Sequence, residues 1–144
     1  MALVRHRELY RCGVAWLAVT DPRLMFEWRA DTDLTNEARG YSYPTLIGDP
    51  VNDAAMLESV SPLAQVARIR APLLLAFGGS DWRVPPVHGT RVRDALQAAG
   101  KPLQWVLYPD EGHGWFKLET RVDFARRVES FLNEHLNKPA SGRD

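Results

Sequence analysis

Three short apolar runs alternate with longer amphipathic segments along this chain. The runs cover residues 12–19, 72–77 and 103–108, and their length and composition predict strands. The first two are almost wholly apolar, which is typical of strands that are buried on both faces of a parallel sheet. Strands that alternate with helices predict an α/β fold with right-handed crossovers.

Helical signals occupy the segments around these runs. Ser61 before Pro62 is a favourable helix start, and Gly100 is a favourable helix stop. In the last helix, aliphatic residues recur at helical spacing and predict a buried stripe. That stripe consists of Leu118, Val122, Ala125, Val128, Leu132 and Leu136. The predicted helices cover residues 2–9, 25–28, 51–58, 61–70, 88–99 and 117–136.

Composition and charge exclude several classes of protein and of partner. Of 144 residues, 45% are hydrophobic and 25% are charged, so we assign 1–136 to one globular domain and 137–144 to a flexible tail. Eighteen basic residues balance eighteen acidic ones, which argues against a nucleic-acid partner. No apolar run approaches the length of a membrane span, so no membrane partner is expected.

The cysteine and histidine content bears on cofactors and on compartment. The single cysteine, Cys12, excludes an internal disulfide framework and a cysteine-based zinc site. The four histidines show no ligand spacing, so we expect neither a metal nor another cofactor. Charged residues interrupt the first apolar positions, which is unlike a signal peptide, and we expect a cytoplasmic protein.

Two loops that follow predicted strands carry candidate catalytic residues. Asp81 follows the second strand and two glycines that permit a tight turn, and His113 lies between two glycines after the third strand. Loops at the carboxyl ends of parallel strands share one edge of the sheet. An aspartate that orients a histidine is two thirds of a nucleophilic triad. The alternative is that Asp81 only forms a turn and His113 is an ordinary loop residue.

The third member of such a triad has no candidate in this sequence. The Gly-x-Ser-x-Gly motif of a nucleophile elbow is absent from the 144 residues. Ser42 has no strand before it, and Ser80, beside Asp81, is predicted to form local hydrogen bonds in a turn. Cys12 opens a buried run, so we interpret it as a structural residue.

The stretches 9–22, 61–63 with 72–85, and 108–114 resemble the catalytic domain of the prolyl oligopeptidase family of serine peptidases. The resemblance extends to about residue 136. It implies that the chain is the carboxyl-terminal part of an α/β-hydrolase fold, with parallel strands flanked by helices. It further implies that Asp81 is the triad acid and His113 the triad base.

The same resemblance implies two substrate-binding residues. Arg83 matches an arginine that binds a substrate carbonyl in some members, and a guanidinium suits that role because its donors are fixed and always charged. A surface ion pair is the alternative for Arg83. Trp28, with Met25 and Phe26, falls where the family builds part of an apolar specificity pocket, and a core role is the alternative for these three.

The sequence therefore supports three hypotheses. The first is a serine-type peptidase of short peptides, to which this chain supplies the aspartate and the histidine but not the serine. The second is a catalytically silent fragment or pseudoenzyme that acts in binding or assembly, and the third is an esterase on the same fold. We expect the isolated chain to be inactive. We also expect self-association through an exposed strand edge at residues 12–19.

Overall fold

The computed structural model describes residues 1–27 and 38–137 of the chain. Its centre is a three-stranded parallel sheet in the order β1-β2-β3. The strands are β1, Gly13–Trp16, β2, Leu73–Gly78, and β3, Leu103–Tyr108. This sheet and its flanking helices confirm the predicted α/β class. The predicted tail beyond residue 137 lies outside the described residues.

Helices of very different length connect and flank the strands. They are α1, Ala2–Arg5, α2, Leu24–Glu27, α3, Tyr43–Leu46, α4, Ala54–Ser59, α5, Val87–Ala98, and α6, Leu118–Leu136. A π-helical turn, Ala38–Ser42, precedes α3, and a 3-10 turn, Val66–Arg68, follows α4. No helix within the described residues is long and apolar enough to cross a lipid bilayer.

The core forms on both faces of β2, whose residues are all buried. Leu75 and Phe77 pack on one face against Val92 and Leu96 of α5. Successive side chains of a strand point to opposite faces, so Ala76 lies on the other face. There it packs with aromatic and aliphatic side chains from β3, α6 and the loop between them, namely Val106, Tyr108, Trp115 and Phe124. The two long helices therefore cover opposite faces of the sheet.

The prediction that the first strand is buried on both faces is wrong. Val14 is 38% exposed and Trp16 is 49% exposed, because β1 is at the edge of the sheet and pairs only with β2 in the described part of the chain. The strand is also shorter than the run at 12–19. Leu17 has a φ of 51°, and this left-handed backbone ends the extended conformation.

The helix predicted over 61–70 is reduced to one 3-10 turn, Val66–Arg68. Ser61 does accept a hydrogen bond of 3.1 Å from the backbone N–H of Ala64, as a capping residue would. The chain nevertheless becomes extended at Ile69. Pro72 disfavours a helical conformation in the residue before it, so the helix cannot continue toward β2.

The stripe predicted along the last helix is wrong for several of its members. Leu118 is 71% exposed and Val122 is 40% exposed, whereas Thr120 and Phe131 are buried. Phe124, at helical spacing from both buried residues, packs toward the sheet. The prediction followed the aliphatic residues only, whereas the helix buries Phe131 and partly buries Phe124, which offer more apolar area per side chain.

Candidate active site

Asp81 and His113 meet at the carboxyl ends of β2 and β3. The Nδ1 atom of His113 lies 2.9 Å from Oδ2 of Asp81, which is hydrogen-bond distance. Asp81 follows β2 by three residues and His113 follows β3 by five. The structure thus brings together the two residues that the sequence selects as acid and base.

The Asp81 carboxylate is fixed by backbone donors as well as by the histidine. Its Oδ1 atom accepts hydrogen bonds of 2.9 Å from the backbone N–H groups of Arg83 and Val84. The side chain is fully buried. Hydrogen bonds to an ionised carboxylate are stronger than neutral ones, so the group is held in one orientation. Its Oδ2 atom is thereby aimed at His113.

Gly78 and Gly79 allow the loops after β2 and β3 to approach each other. The backbone N–H of Gly79 donates a 2.8 Å hydrogen bond to the carbonyl of Tyr108. A Cβ atom on Gly79 would lie 2.5 Å from the Pro109 carbonyl oxygen, and one on Gly78 would overlap the backbone of Glu111. Neither glycine has a left-handed backbone. The sequence predicts that these glycines permit a tight turn. In the structure they instead allow two backbones to pack closely.

Glu111 belongs to the same loop, although no sequence pattern singles it out. Its side chain is buried, and its carboxylate accepts hydrogen bonds from the backbone N–H groups of Phe116, at 2.8 Å, and Lys117, at 3.1 Å. The bond from Phe116 is the main reason that the pKa of Glu111 lies below its usual range. No local sequence signal marks this residue, because Glu111 lies seven residues before α6 and an acid favours a helix start only close to its first turn.

A small recess of about 260 Å³ lies beside the imidazole of His113. Trp16, Leu17, His113 and Gly114 line it. The indole of Trp16 stacks on Trp115, with ring centroids 5.4 Å apart. About a third of the His113 side chain is exposed, and within the described residues Nε2 receives no hydrogen bond. The histidine is therefore accessible on the side away from Asp81.

Of the two predicted substrate-binding residues, Arg83 and Trp28, the described part of the chain contains only Arg83. The guanidinium of Arg83 lies 5.7 Å from the ring centroid of Trp82, and both side chains are exposed. In the parts of the chain that the structure covers, Arg83 has no acidic partner, so the alternative of a surface ion pair is not observed. Trp28 lies outside the described residues. Met25 and Phe26 are half-buried, and Phe26 packs edge-on against Tyr43.

No serine hydroxyl of the described residues bonds to His113. Ser80 donates a 3.1 Å hydrogen bond to the carbonyl of Pro109, in agreement with its predicted role in a turn. Burial raises the pKa of the Cys12 thiol, which does not favour a reactive thiolate. Among residues 1–27 and 38–137, no group of three or more His, Cys, Asp or Glu side chains is arranged to hold a metal ion.

His88 is a second buried histidine, at the start of α5. Its Nδ1 atom accepts a 3.3 Å hydrogen bond from the backbone N–H of Thr20, whose hydroxyl donates to the His88 carbonyl at 2.7 Å. Its Nε2 atom is buried and has no partner among the described residues. Burial lowers the pKa of His88 to about 4, so the imidazole is neutral at physiological pH. It fastens the segment after β1 to α5.

A parallel sheet with helices on both faces and an Asp–His pair at its carboxyl edge is the arrangement found in the carboxyl-terminal part of α/β-hydrolase folds. The sequence profile of the Prolyl oligopeptidase family matches residues 1–139. The chain therefore belongs to the prolyl oligopeptidase family, as its three motif-bearing stretches suggest.

Individual relatives agree with this assignment. Dipeptidyl aminopeptidase BIII of Pseudoxanthomonas mexicana is 37% identical over 102 residues, which is 68% of this chain and 15% of that protein. Acylamino-acid-releasing enzyme 2 of Oryza sativa subsp. japonica is 38% identical over 81 residues, which is 56% of this chain and 10% of that protein. The chain spans a small part of the relatives it matches.

A solved structure gives the same fold. The crystal structure of puromycin hydrolase superposes with a TM-score of 0.80 at 26% identity. The superposition covers 99% of this chain and 21% of the hydrolase. The α/β-hydrolase architecture thus extends over the whole described part of the chain.

Proposed function

We propose that this chain supplies the acid and the base of a serine-type peptidase that cleaves peptide bonds of short peptides. The observation that carries the proposal is the 2.9 Å contact between His113 Nδ1 and the buried Asp81 carboxylate. A carboxylate in this position fixes the tautomer of the histidine, with the proton on Nδ1 and a free lone pair on Nε2. The accessible nitrogen is then a general base.

The proposed reaction is an acyl transfer in two halves. Nε2 of His113 takes the proton of a serine hydroxyl as its oxygen attacks the peptide carbonyl, and the Asp81 carboxylate stabilises the resulting imidazolium. The imidazolium then returns that proton to the departing amine. Water repeats the sequence on the acyl-enzyme and releases the acid. The serine is one that these 144 residues do not supply in a Gly-x-Ser-x-Gly elbow.

The substrate class is proposed from the relatives and from Arg83. Two of the named relatives are a dipeptidyl aminopeptidase and an acylamino-acid-releasing enzyme, both of which are named for work on the ends of peptides. Arg83 follows the triad acid by two positions, and its exposed guanidinium can donate to a peptide carbonyl. Trp28 stays a predicted contact to the substrate.

A second candidate function is assembly without catalysis. It is favoured by the outer edge of β1, which carries half-exposed Val14 and Trp16. An apolar groove of about 330 Å³ runs along this strand and is lined in part by Leu3 and Val19. Unpaired strand edges with apolar neighbours favour pairing with another chain. A silent binding module would use this edge and would not need His113.

A chimera tests the peptidase proposal. This chain replaces the matching segment of the Pseudoxanthomonas mexicana dipeptidyl aminopeptidase, so that Asp81 and His113 work with a complete enzyme. We expect hydrolysis of dipeptidyl anilides in preference to simple nitrophenyl esters. A folded chimera that hydrolyses only the esters would support the esterase hypothesis. A folded chimera without any hydrolysis would contradict the peptidase proposal.

Covalent labelling addresses the silent alternative in the chain itself. A fluorophosphonate probe reacts with an activated serine, and we expect no labelling of the 144-residue chain and labelling of the chimera. Labelling of the chain alone would contradict both the silent alternative and our proposal that the serine lies elsewhere. Absence of labelling in a folded chimera would contradict a catalytic role for the pair.

A further inference from the structure

Glu111 is a buried acid that the proposed reaction does not use. Its side chain is almost fully shielded from solvent, yet it lies in the loop that carries the exposed His113. Burial of a carboxylate is unfavourable unless hydrogen bonds compensate for the lost water. Because burial of the Glu111 carboxylate is costly, its hydrogen bonds must compensate for the lost water. The partners in those bonds show which parts of the structure the carboxylate connects.

The carboxylate of Glu111 reaches forward along the chain to the start of α6. Its two oxygens accept hydrogen bonds from the consecutive N–H groups of Phe116 and Lys117. The first N–H groups at a helix start lack partners within the helix, and a negative charge there is favourable for the helix dipole. The Thr120 side chain, in the first turn of α6, also lowers the pKa of Glu111. Glu111 thus fixes the far end of the loop.

The backbone of Glu111 is fixed to the loop after β2. Its carbonyl accepts a 3.0 Å hydrogen bond from Ser80, the residue before Asp81, and its N–H donates to Tyr108 at 3.2 Å. One residue therefore joins the Asp81 loop, the end of β3 and the start of α6. His113 lies between the two fixed points, two residues after Glu111 and three before Phe116.

We propose that Glu111 is a positioning residue that holds His113 against Asp81. It acts through the loop backbone, and the imidazole itself makes its hydrogen bond only to Asp81 within the described residues. The inference rests on the proposed function, because a fixed imidazole matters most to a general base. Without the carboxylate, the loop loses its hydrogen bonds from the Phe116 and Lys117 N–H groups, and His113 can move away from Asp81.

Nuclear magnetic resonance of the full 144-residue chain tests this role. The readout is the exchange of the His113 Nδ1 proton with water, which the Asp81 bond slows. In Glu111→Gln the amide NH₂ would face a backbone donor, so one of the two bonds is lost. We expect the His113 proton to exchange about tenfold faster or more, as for loss of a buried hydrogen bond to a charged group. Glu119→Gln, an exposed acid in the first turn of α6, is the control and leaves the exchange unchanged.

A second variant removes the bond from the other side. Lys117 has a φ of −74°, which proline can adopt, so Lys117→Pro deletes one donor to Glu111 without a change in the carboxylate. It also removes the exposed ion pair between Lys117 and Asp110, so Lys117→Ala, which loses that ion pair but keeps the backbone N–H, is its control. We expect faster exchange in the same direction, and the buried His88 resonances report whether each variant is folded. If Glu111→Gln does not fold, Lys117→Pro decides the question. If the His113 proton exchanges at the wild-type rate in the folded variants, the positioning role of Glu111 is overturned.

The outcome is independent of hydrolysis. The chimera tests whether His113 is a base, whereas the exchange rate tests whether Glu111 holds its imidazole. If the chimera is inactive but Glu111→Gln speeds the exchange, the proposed function fails and the positioning role stands. If the chimera is active but the exchange is unchanged in both variants, the positioning role fails alone.

Discussion

The backbone N–H of Ser80 donates a 3.0 Å hydrogen bond to the carbonyl of Glu111, which ties the loop of Asp81 to the loop of His113. The neighbouring bond from Gly79 to Tyr108 continues the pairing of β2 with β3 beyond the strands. The distance between the acid and the base is therefore set by backbone contacts. Changes that separate the two backbones should affect the pair even when neither side chain is altered.

Gly79→Ala is the sharpest test of this backbone contact. The new Cβ would lie 2.5 Å from the Pro109 carbonyl oxygen and 2.7 Å from its Cα, and neither atom can move without moving the loop. We expect a loss of about 2 kcal/mol in the free energy of unfolding, as is typical of overpacking. Urea unfolding measures it.

Gly112→Ala is the matched control in the same loop. A Cβ there meets its nearest atom, the Ser80 carbonyl oxygen, at an ordinary 3.8 Å. We expect its midpoint in urea to stay close to the wild-type value. Equal stability of Gly79→Ala and Gly112→Ala would show that the two loops do not need their close contact.

The buried His88 predicts an acid-sensitive fold. The unfolded histidine binds a proton near pH 6.5, whereas the folded one resists protonation until about pH 4. As the pH falls from 6.5 to 4, protonation of His88 therefore favours the unfolded state. At pH 4 this lowers the free energy of unfolding by about 3 kcal/mol, and above pH 6.5 the effect is absent. Unfolding in urea at a series of pH values measures the slope.

His88→Asn separates this effect from the carboxylates. Asparagine can still accept the Thr20 bond but does not titrate, so its stability should fall less steeply between pH 6.5 and pH 4. Hydrogen bonds outweigh burial and hold the pKa of Asp21 below its usual range, and its contribution is lost at lower pH in both proteins. If the free energy of unfolding falls equally with pH in wild type and variant, the acid sensitivity does not come from His88.

The edge of β1 predicts self-association. Val14 and Trp16 flank a backbone edge that no strand of residues 1–27 and 38–137 pairs with, and they are 38% and 49% exposed. We expect the sedimentation coefficient of the chain to rise with concentration in the micromolar range. Val14→Lys should reduce this rise because a charged edge opposes strand pairing. Val51→Lys, at a more exposed site outside the sheet, should leave it unchanged. A monomer at all concentrations would contradict this interpretation of the edge.

The sequence predicts much of the fold because its strongest patterns are local. The run at 72–77 is uniformly apolar, and all of β2 is buried. Gly100 ends α5 with a φ of 62°, the conformation that favours glycine. The pairing of Asp81 with His113 also follows from local features, because strand ends in a parallel sheet share one edge.

Other features depend on contacts between distant segments. Burial of β1 depends on which elements cover it, and nothing in the pattern of 12–19 reveals that Val14 and Trp16 stay half-exposed. The role of Gly79 depends on the position of Pro109, thirty residues away. In the sequence, Glu111 looks like an ordinary acidic loop residue. Its role depends on backbone N–H groups just before α6, and only the folded structure brings them to its carboxylate.

The central claim is that His113, oriented by Asp81, acts as a general base. Its most direct test is kcat/KM of the chimera with and without the imidazole. We expect His113→Ala to lower kcat/KM by about 10⁴-fold, while His135→Ala, near the end of α6, leaves it unchanged. A folded His113→Ala chimera that hydrolyses dipeptidyl anilides at the unmodified rate would contradict the account.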